Sequence, residues 1–323
     1  MKISLIIPVA HNASYNDLSN LLRSTLTQTL RDFEVLIVND GGFALSVEEV
    51  ASVKVLTPPE KIGASAARNY AARHATGQIL GFLDSDVILD PRWCEEAVAT
   101  FSQKAVGGAS GDARVDLGKF GFAYVPKCLR WVVGGSYWRG GRIRVVTGAA
   151  GMNFCVRKDS FERAKGYDES LGPRADRPET QSWFRLGAEE SDLAFRIRKV
   201  CQEAVVFNPR MIVTHKLRRE TITLRGVTRR AMHVGRNRAY LHSRYAGSYG
   251  GGESEVLRET VVDLLSSLLQ LFSHPVRSWK RISFTCLVVL GLAAGYLSGI
   301  VQFRHRDDFE SKPPFLPYYL NRR

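Results

Sequence analysis

Apolar and polar residues alternate in a regular order along the first part of the chain. Ile3 to Pro8 is a β-branched run closed by proline, predicting a strand that opens into a loop at Val9 to Ser14. From Asp17 to Thr29, Leu18, Leu21, Leu22, Thr25 and Leu26 recur at helical spacing, as a helix covering a sheet requires. Phe33 to Val38 is a second strand, ending in Asn39-Asp40-Gly41-Gly42. Val53 to Leu56 is a third, cut off by Pro58-Pro59. The alanine-rich stretch Ala64 to Thr76 predicts a helix beginning just after Gly63. The apolar run after Gly77 then stops abruptly at Asp84-Ser85-Asp86. This rhythm implies an α/β fold with a largely parallel sheet, and ligands at the strands' C-terminal edge, where Val9, Asp40 and Asp86 converge.

Further on, Asp90-Pro91 has the pattern of a helix start, with Asp90 as N-cap and a helix continuing from Trp93 to Phe101. Strands are predicted at Ala105 to Val115, Gly148 to Arg157, Val205 to Phe207 and Met211 to Val213, with a short helix and turn at Lys158 to Tyr167. Between Gly118 and Gly141, Phe120, Phe122, Tyr124, Trp131, Tyr137 and Trp138 mix with glycines and basic residues. That composition serves a mobile flap, an aromatic binding surface or plain core packing. Leu193, Ile197 and Val200 form the apolar stripe of a helix whose first turn is Glu189-Glu190. Gly247 to Gly252 is the best boundary, giving a domain at 1–246, with halves near 1–115 and 116–246, and a helical region at 253–323. In that region Val256 to Phe272 has one broad apolar face. Ile282 to Phe303 is an uncharged run of bilayer-spanning length, flanked by Lys280, Arg281, Arg304 and Arg306. Membrane attachment and a buried helix in a homo-oligomer both account for it. The tail with Pro313, Pro314 and Pro317 is expected to be extended surface chain.

With 323 residues and 45% apolar content, the chain can bury a sizeable core. A formal charge of +13 favours anionic partners such as sugar nucleotides or an acidic membrane surface. Nucleic acid is a rival for the Arg-rich stretch Lys216 to Arg244, but no nucleic-acid-binding module accompanies it, so no nucleic acid is expected. Five scattered cysteines without C-x-x-C argue against a disulfide framework or a zinc site, and for a reducing compartment. The apolar run after Met1-Lys2 is too short for a secretory signal, which places the expected catalytic part on the cytoplasmic face of the membrane.

Candidate chemistry clusters at the strand ends. Asp84 and Asp86, one residue apart, are hard oxygen donors that suit Mg²⁺ or Mn²⁺ bridging the phosphates of a nucleotide; a D-x-D also makes turns and caps helices. Asp40 can accept a hydrogen bond from a base or ribose, or serve as a turn residue. The helix start after Gly63 is a plausible phosphate site, and Arg68 could pair with a diphosphate or with a neighbouring acid. No G-x-G-x-x-G follows the first strand, which weakens a dinucleotide-binding reading.

Together the segments I-I-P-V-A-H-N (Ile6 to Asn12), S-T-L-T-Q-T (Ser24 to Thr29), V-N-D-G-G (Val38 to Gly42), G-A-S-A-A-R-N (Gly63 to Asn69) and F-L-D-S-D (Phe82 to Asp86) resemble the nucleotide-binding half of family 2 glycosyltransferases, which have the GT-A fold. The resemblance implies an inverting transfer from a nucleotide-sugar donor, with Asp40 on the nucleobase and Asp86 on a divalent metal. Donor contacts are expected from Pro8, Val9, Ala10, Asp40, Lys61, Gly63, Arg68, Asp84 and Ser85. Glu189-Glu190-Ser191-Asp192-Leu193-Ala194-Phe195-Arg196 is similar to the family's acidic signature, whose second acidic position is the catalytic base, here Glu190. Glu189 and Asp192 become supporting groups and Arg196 their structural partner. The family often has a histidine where His215 stands, as a further metal ligand, and the segment around Asn153 faces the donor sugar or acceptor. Two departures concern the base: the first loop is one residue longer than the family's, and Asn39 stands where Asp is common. Glu190 also replaces a frequent Asp. The acceptor expected is a glycan or lipid-linked glycan. A sugar-phosphate nucleotidyltransferase or a non-catalytic carbohydrate-binding protein are the alternatives; the first lacks a triphosphate-binding loop signature.

Overall fold

The computed structural model describes residues 1–10, 12–42, 53–115, 124–138, 140–172, 187–216, 223–245 and 253–303. Strands β1 (Ile3–Ala10), β2 (Phe33–Asp40), β3 (Val53–Leu56) and β4 (Ile79–Leu83) lie in the order β3-β2-β1-β4, all parallel. Ile3, Leu5, Ile6, Ile7 and Val9 of β1 are all buried. A strand covered on both faces shows no alternation, which is why its sequence reads as a continuous apolar run. Helix α1 (Tyr15–Leu26) is capped by Ser14, whose hydroxyl accepts from the Asp17 N–H. In the sheet register Ala10 pairs with Asp40 and Ile6 with Phe82, so the carboxyl ends of β1, β2 and β4 rise to one edge.

Beyond β4 the pairing reverses. Strand β8 (Asn153–Arg157) runs antiparallel to β4, and β6 (Val106–Arg114) antiparallel to β8. Strand β9 (Ala204–His215) follows, then the short β5 (Val87–Leu89), while β7 (Arg144–Val145) pairs with β9. The sheet is therefore mixed, parallel from β3 to β4.

Two local expectations are corrected. Asp90 is not the N-cap of α3 (Trp93–Thr100), because Arg92 occupies that place. Asp90 instead builds a turn two residues earlier, its carboxylate accepting from Arg92 N at 3.0 Å and its carbonyl from Trp93 N at 3.0 Å. The two runs on either side of Pro209 are one strand, β9, with the Asn208 carboxamide taking the Arg210 N–H at 2.9 Å beside the proline. Residues 118–123 and 139 of the aromatic stretch, Phe120 and Phe122 among them, lie outside the described residues, like the 247–252 break and the tail.

Contacts divide the chain into two units, Met1–Asp112 with Gly140–Thr214, and Ala113–Arg139 with His215–Asp307. This differs from the expected division at 1–246 and 253–323, since helix α6 (Leu224–Arg244) belongs with α7 (Glu253–Leu269) and α8 (Pro275–Phe303). The reason is close helix packing. Gly291, Gly295 and Gly299 recur every fourth residue on α8 and meet Ala231, Met232 and Ala239 of α6. A β-carbon at Gly299 would stand 2.6 Å from that of Ala239, and one at Gly295 would overlap the Met232 carbonyl. Val125, Trp131, Val132, Val227, Phe284 and Val288 complete this unit's core, joined by a 3₁₀ helix at Lys127–Val133. Trp131 and Tyr137 take the core-packing role, beneath the Arg238 guanidinium at 5.7 and 5.2 Å from their ring centres.

Gly295→Val should lower the thermal unfolding midpoint by the equivalent of about 1–3 kcal/mol, the usual cost of overpacking. Gly141→Ala, which meets only open space, should stay within about 0.5 kcal/mol of wild type. Equal melting of both variants would refute the close approach of α6 and α8.

Candidate active site

The site in the first unit is built from the end of β4, the start of helix α2 (Ala64–His74) and the start of helix α5 (Glu189–Arg196). Glycine is needed at position 63, where φ is +86° at the helix entry. Asp40 fixes this turn from below: its two carboxylate oxygens accept the N–H groups of Ile62 at 2.7 Å and Gly63 at 2.8 Å. Helix α2 then turns Arg68 and Asn69 inward, both buried despite their polarity.

Arg68 is 4% exposed and sits among three carboxylates. Its Nη2 donates to Asp84 Oδ1 at 2.9 Å, and its Nη1 lies 3.4 Å from Glu190 Oε1 and 3.9 Å from Glu189 Oε1. The Tyr167 ring centre is 5.5 Å from its Cζ. Asn69 holds Tyr167 there, accepting from Tyr167 N at 2.8 Å while its amide donates to the Tyr167 carbonyl and the Glu169 carboxylate, each at 2.9 Å. Several buried polar atoms here have no hydrogen-bond partner: Arg68 Nε and Nη1, Tyr167 Oη and Glu189 Oε2. Unsatisfied donors and acceptors gathered at one place are expensive in a finished core and suit a site that takes a polar ligand.

Backbone shape brings the acids to Arg68. Glu190 lies directly against Gly151, where any β-carbon would overlap its carboxylate, and Glu189 against Gly172, whose φ is +81°. Helix α5 is anchored at its other end by Arg196, ion-paired to Asp192 at 2.6 Å and hydrogen-bonded to the Ala164 carbonyl. Burial, and then the neighbouring Glu189 charge, push the Glu190 carboxyl up to about 8, with Arg68 pulling the other way. Burial likewise raises Glu189. Burial works against the charge on Arg68, but the surrounding acids, Glu190 foremost, hold its pKa above the ordinary guanidinium value.

The structure thus gathers Arg68, Asp84, Glu189 and Glu190 and leaves other expected residues elsewhere. Ser85 and Asp86 are half-buried just past the end of β4, Lys61 is exposed, and Pro8, Val9 and Ala10 form the end of β1. Asn153 is fully buried, accepting from Trp93 Nε1 at 2.9 Å and donating to the Met211 carbonyl at 2.8 Å and that of Asp112 at 3.2 Å. Its amide is committed to the sheet core, so a sugar-facing role is not what this geometry offers. His215 belongs to the second unit, its Nδ1 2.9 Å from the Gly134 carbonyl. Among the described residues no three His, Cys, Asp or Glu side chains form a metal cage. Asn69, Tyr167 and Gly151 are the residues that sequence reasoning passed over as site builders, although G-A-S-A-A-R-N contains the first and the turn predicted at Lys158 to Tyr167 ends on the second.

Known proteins agree with this picture. Residues 4–163 match the model of glycosyl transferase family 2. A glucosyl-dolichyl phosphate glucuronosyltransferase of Haloferax volcanii is 26% identical over 225 residues, 67% of this chain and 70% of that protein. Among solved structures, the Pyrobaculum calidifontis mannosyltransferase PcManGT, in complex with GDP-Man and Mn²⁺, superposes with a TM-score of 0.56 at 14% identity, covering 92% of this chain and 87% of that one. GalNAc-T7 with UDP, GalNAc and Mn²⁺ superposes at 0.51 and 17% identity, over 79% of this chain and 53% of its own. At such identities the superpositions speak for the fold alone, and that fold is GT-A. With five motifs in order along the nucleotide-binding half and the family's match over the same residues, the chain belongs to glycosyl transferase family 2.

Proposed function

We propose that this glycosyltransferase moves a sugar from a nucleotide-diphosphate donor, with UDP or dTDP favoured, to a hydroxyl of a glycan or lipid-linked glycan, with inversion. The observation that carries this reading is the Glu190 carboxylate, enclosed at the start of α5 beside Arg68 with its pKa near 8. An acceptor hydroxyl is a poor nucleophile until a positioned base takes its proton, and a base works best with a pKa close to the operating pH. Glu190 fills that role. Glu189 and Asp192 support it, the first by raising its basicity and the second by tying α5 down through Arg196. The Nε and Nη1 of Arg68, neither of which makes a hydrogen bond, match the oxygens of a diphosphate. Asp40 shapes the turn that carries Lys61 and Gly63 and retains lone pairs for a nucleobase imide, which favours uridine or thymidine.

Asp86, half-buried just past the end of β4, is the carboxylate that would hold a divalent ion. One or two protein donors suffice for Mg²⁺ or Mn²⁺ when diphosphate and water fill the remaining positions, so the donor set fits. When bound, such an ion supplies Lewis-acid neutralisation of the charge gathering on the departing diphosphate.

We further propose monotopic attachment to the cytoplasmic face of a membrane through the second unit. Helix α8 has 29 residues and contains an 18-residue window with a mean hydropathy of 2.1. Its glycine face, however, is covered by α6, which carries Arg225, Arg229, Arg230, Arg236, Arg238 and Arg244. Spanning would draw these charges toward hydrocarbon at several kcal/mol each. Lying in the interface exposes only the apolar outer faces, where Leu269, Phe272, Leu290 and Val301 stand.

Release of nucleoside diphosphate from a panel of UDP-, dTDP- and GDP-sugars should require Mn²⁺ or Mg²⁺ and stop with EDTA. Asp86→Ala should abolish the metal dependence together with turnover, and Glu190→Gln should cost roughly 10²–10⁴-fold. Metal-independent release, or full activity of Glu190→Gln, would sink the assignment.

In the wild type, kcat/KM should climb with pH to a plateau above about 8, because only ionised Glu190 accepts a proton. Arg68→Met removes the cation that lowers this pKa, so its acid limb should move to higher pH whatever it does to the maximum.

The folded protein keeps the Glu190 proton up to about 8, whereas the unfolded chain gives it up near 4.5, so this residue's contribution to stability falls as pH rises between the two. Glu190→Gln should therefore gain most in melting temperature over wild type at pH 8, and progressively less toward pH 4.5. A gain independent of pH would contradict the perturbed carboxyl.

Cys286 is exposed on α8, while Cys94, Cys128, Cys155 and Cys201 are buried. An environment-sensitive fluorophore at Cys286 should shift to the blue when vesicles are added to the full chain. An unchanged spectrum would remove the membrane reading.

A further inference from the structure

We propose that the second unit holds a binding site for the phosphate headgroup of an anionic membrane lipid, in the cavity enclosed by the 3₁₀ helix, α7 and the start of α8. The inference rests on the interfacial attachment argued above and gives it a specific ligand.

The cavity has a volume of about 580 Å³, roomy enough for a glycerophosphate headgroup. Its lining is strongly cationic: Lys127 and Arg130 come from the 3₁₀ helix, Arg258 from α7, and Arg277 and Arg281 from α8. Two carboxylates share the wall. Asp263 is taken by Arg281, whose Nε donates to it at 2.8 Å, and Glu259 is the other. Five cations against two acids leave three positive charges in excess. Arg130 adds a second indication, since its Nε is shut away from solvent and has no hydrogen-bond partner. A buried guanidinium N–H without an acceptor costs free energy that a phosphate oxygen would recover.

What surrounds the cavity makes a lipid, rather than a soluble phosphate, the fitting occupant. On α7 the lining residues Arg258, Val262 and Ser266 stand four apart, one above another. The adjoining stripe of the same helix carries Val261, Leu265, Leu268 and Leu269, every one of them exposed, and Phe272 in the turn that follows is completely so. Val262 belongs to both, lining the cavity and being 60% exposed. The cavity thus opens onto apolar surface, so a molecule with an anionic head and acyl chains meets cations and hydrocarbon-like side chains together. Trp279, 65% exposed between Arg277 and Arg281, is the residue type that marks the membrane–water boundary.

The test is flotation of the full chain with vesicles of phosphatidylcholine alone and with added phosphatidylglycerol. Wild type, Arg258→Gln, Arg277→Gln and the double variant are compared with Arg225→Gln plus Arg229→Gln on α6 as a charge-matched control. Melting curves verify that each variant is folded; the two cavity arginines are exposed, so no loss of fold is expected. The wild type should favour phosphatidylglycerol vesicles, the double variant should lose that preference by roughly fivefold per charge removed, and the α6 control should keep most of it. Binding to neutral vesicles should persist in every variant. Glycerol phosphate at millimolar concentration should compete weakly, because it lacks the chains. Equal loss in the cavity and control variants would mean diffuse attraction and overturn the site. Neutral binding without any phosphatidylglycerol preference would overturn the site while leaving attachment intact. Absence of binding to either vesicle would overturn attachment and the site with it, and competition as strong by glycerol phosphate as by the lipid would reassign the cavity to a soluble phosphate.

Discussion

One guanidinium facing three carboxylates is the constraint on which the active unit depends. Arg68 reaches Asp84 at the end of β4 and Glu190 and Glu189 at the start of α5, so a single side chain of α2 joins three segments far apart in sequence. Removing one partner from a buried ionic group typically costs about 3–5 kcal/mol, since the remaining charges lose their compensation. The arrangement persists because the backbone leaves little alternative. Gly151 has no room for a side chain beside Glu190, and Asn69 grips the Tyr167 backbone from the neighbouring position on α2.

The second unit depends on a different economy of space. Glycines at every fourth residue of α8 let α6 approach to backbone contact, and that contact attaches a highly basic helix to a highly apolar one. Hydropathy alone makes α8 a spanning candidate. The charged neighbour changes the balance, because a helix cannot enter hydrocarbon without what is packed against it. The same pairing leaves α7 and the outer side of α8 with their apolar residues turned outward.

Much of the first unit was legible in its sequence because there the local signals and the tertiary outcome coincide. Ile3 to Pro8, Phe33 to Val38 and the run before Asp84 are largely buried parallel strands, and such strands announce themselves as nearly unbroken apolar runs. Where the signal is a preference that another contact can override, the reading failed. Asp90-Pro91 has every mark of a helix start, yet the carboxylate spends itself on the Arg92 N–H and the helix begins later. Asn153 looked like a polar group offered to a ligand, while three partners around it hold it in the core. Strand β5, at three residues, is too short to carry a period. The grouping of α6 with α8 was invisible for another reason. It depends on small residues at matched positions about sixty residues apart, and no local pattern records which of two glycine-bearing helix faces will meet.

Ion pairing alone does not distinguish the site from scaffolding, but its stoichiometry does. Arg196 with Asp192 and Arg281 with Asp263 are pairs of one cation and one acid, and each ties together parts of its own unit. Around Arg68 the acids outnumber the cation, two guanidinium nitrogens make no hydrogen bond, and the excess negative charge is relieved by a proton held on the Glu189–Glu190 pair. A charge imbalance of this kind is costly to maintain in a folded protein unless something else uses it. The proton is the usable part. Glu190 must release it before it can accept one from an acceptor hydroxyl, and a group whose pKa has been lifted by burial and a like charge becomes a stronger base for the same reason that it is a less stable anion. The feature that makes this corner of the fold expensive is therefore the one that makes its carboxylate reactive.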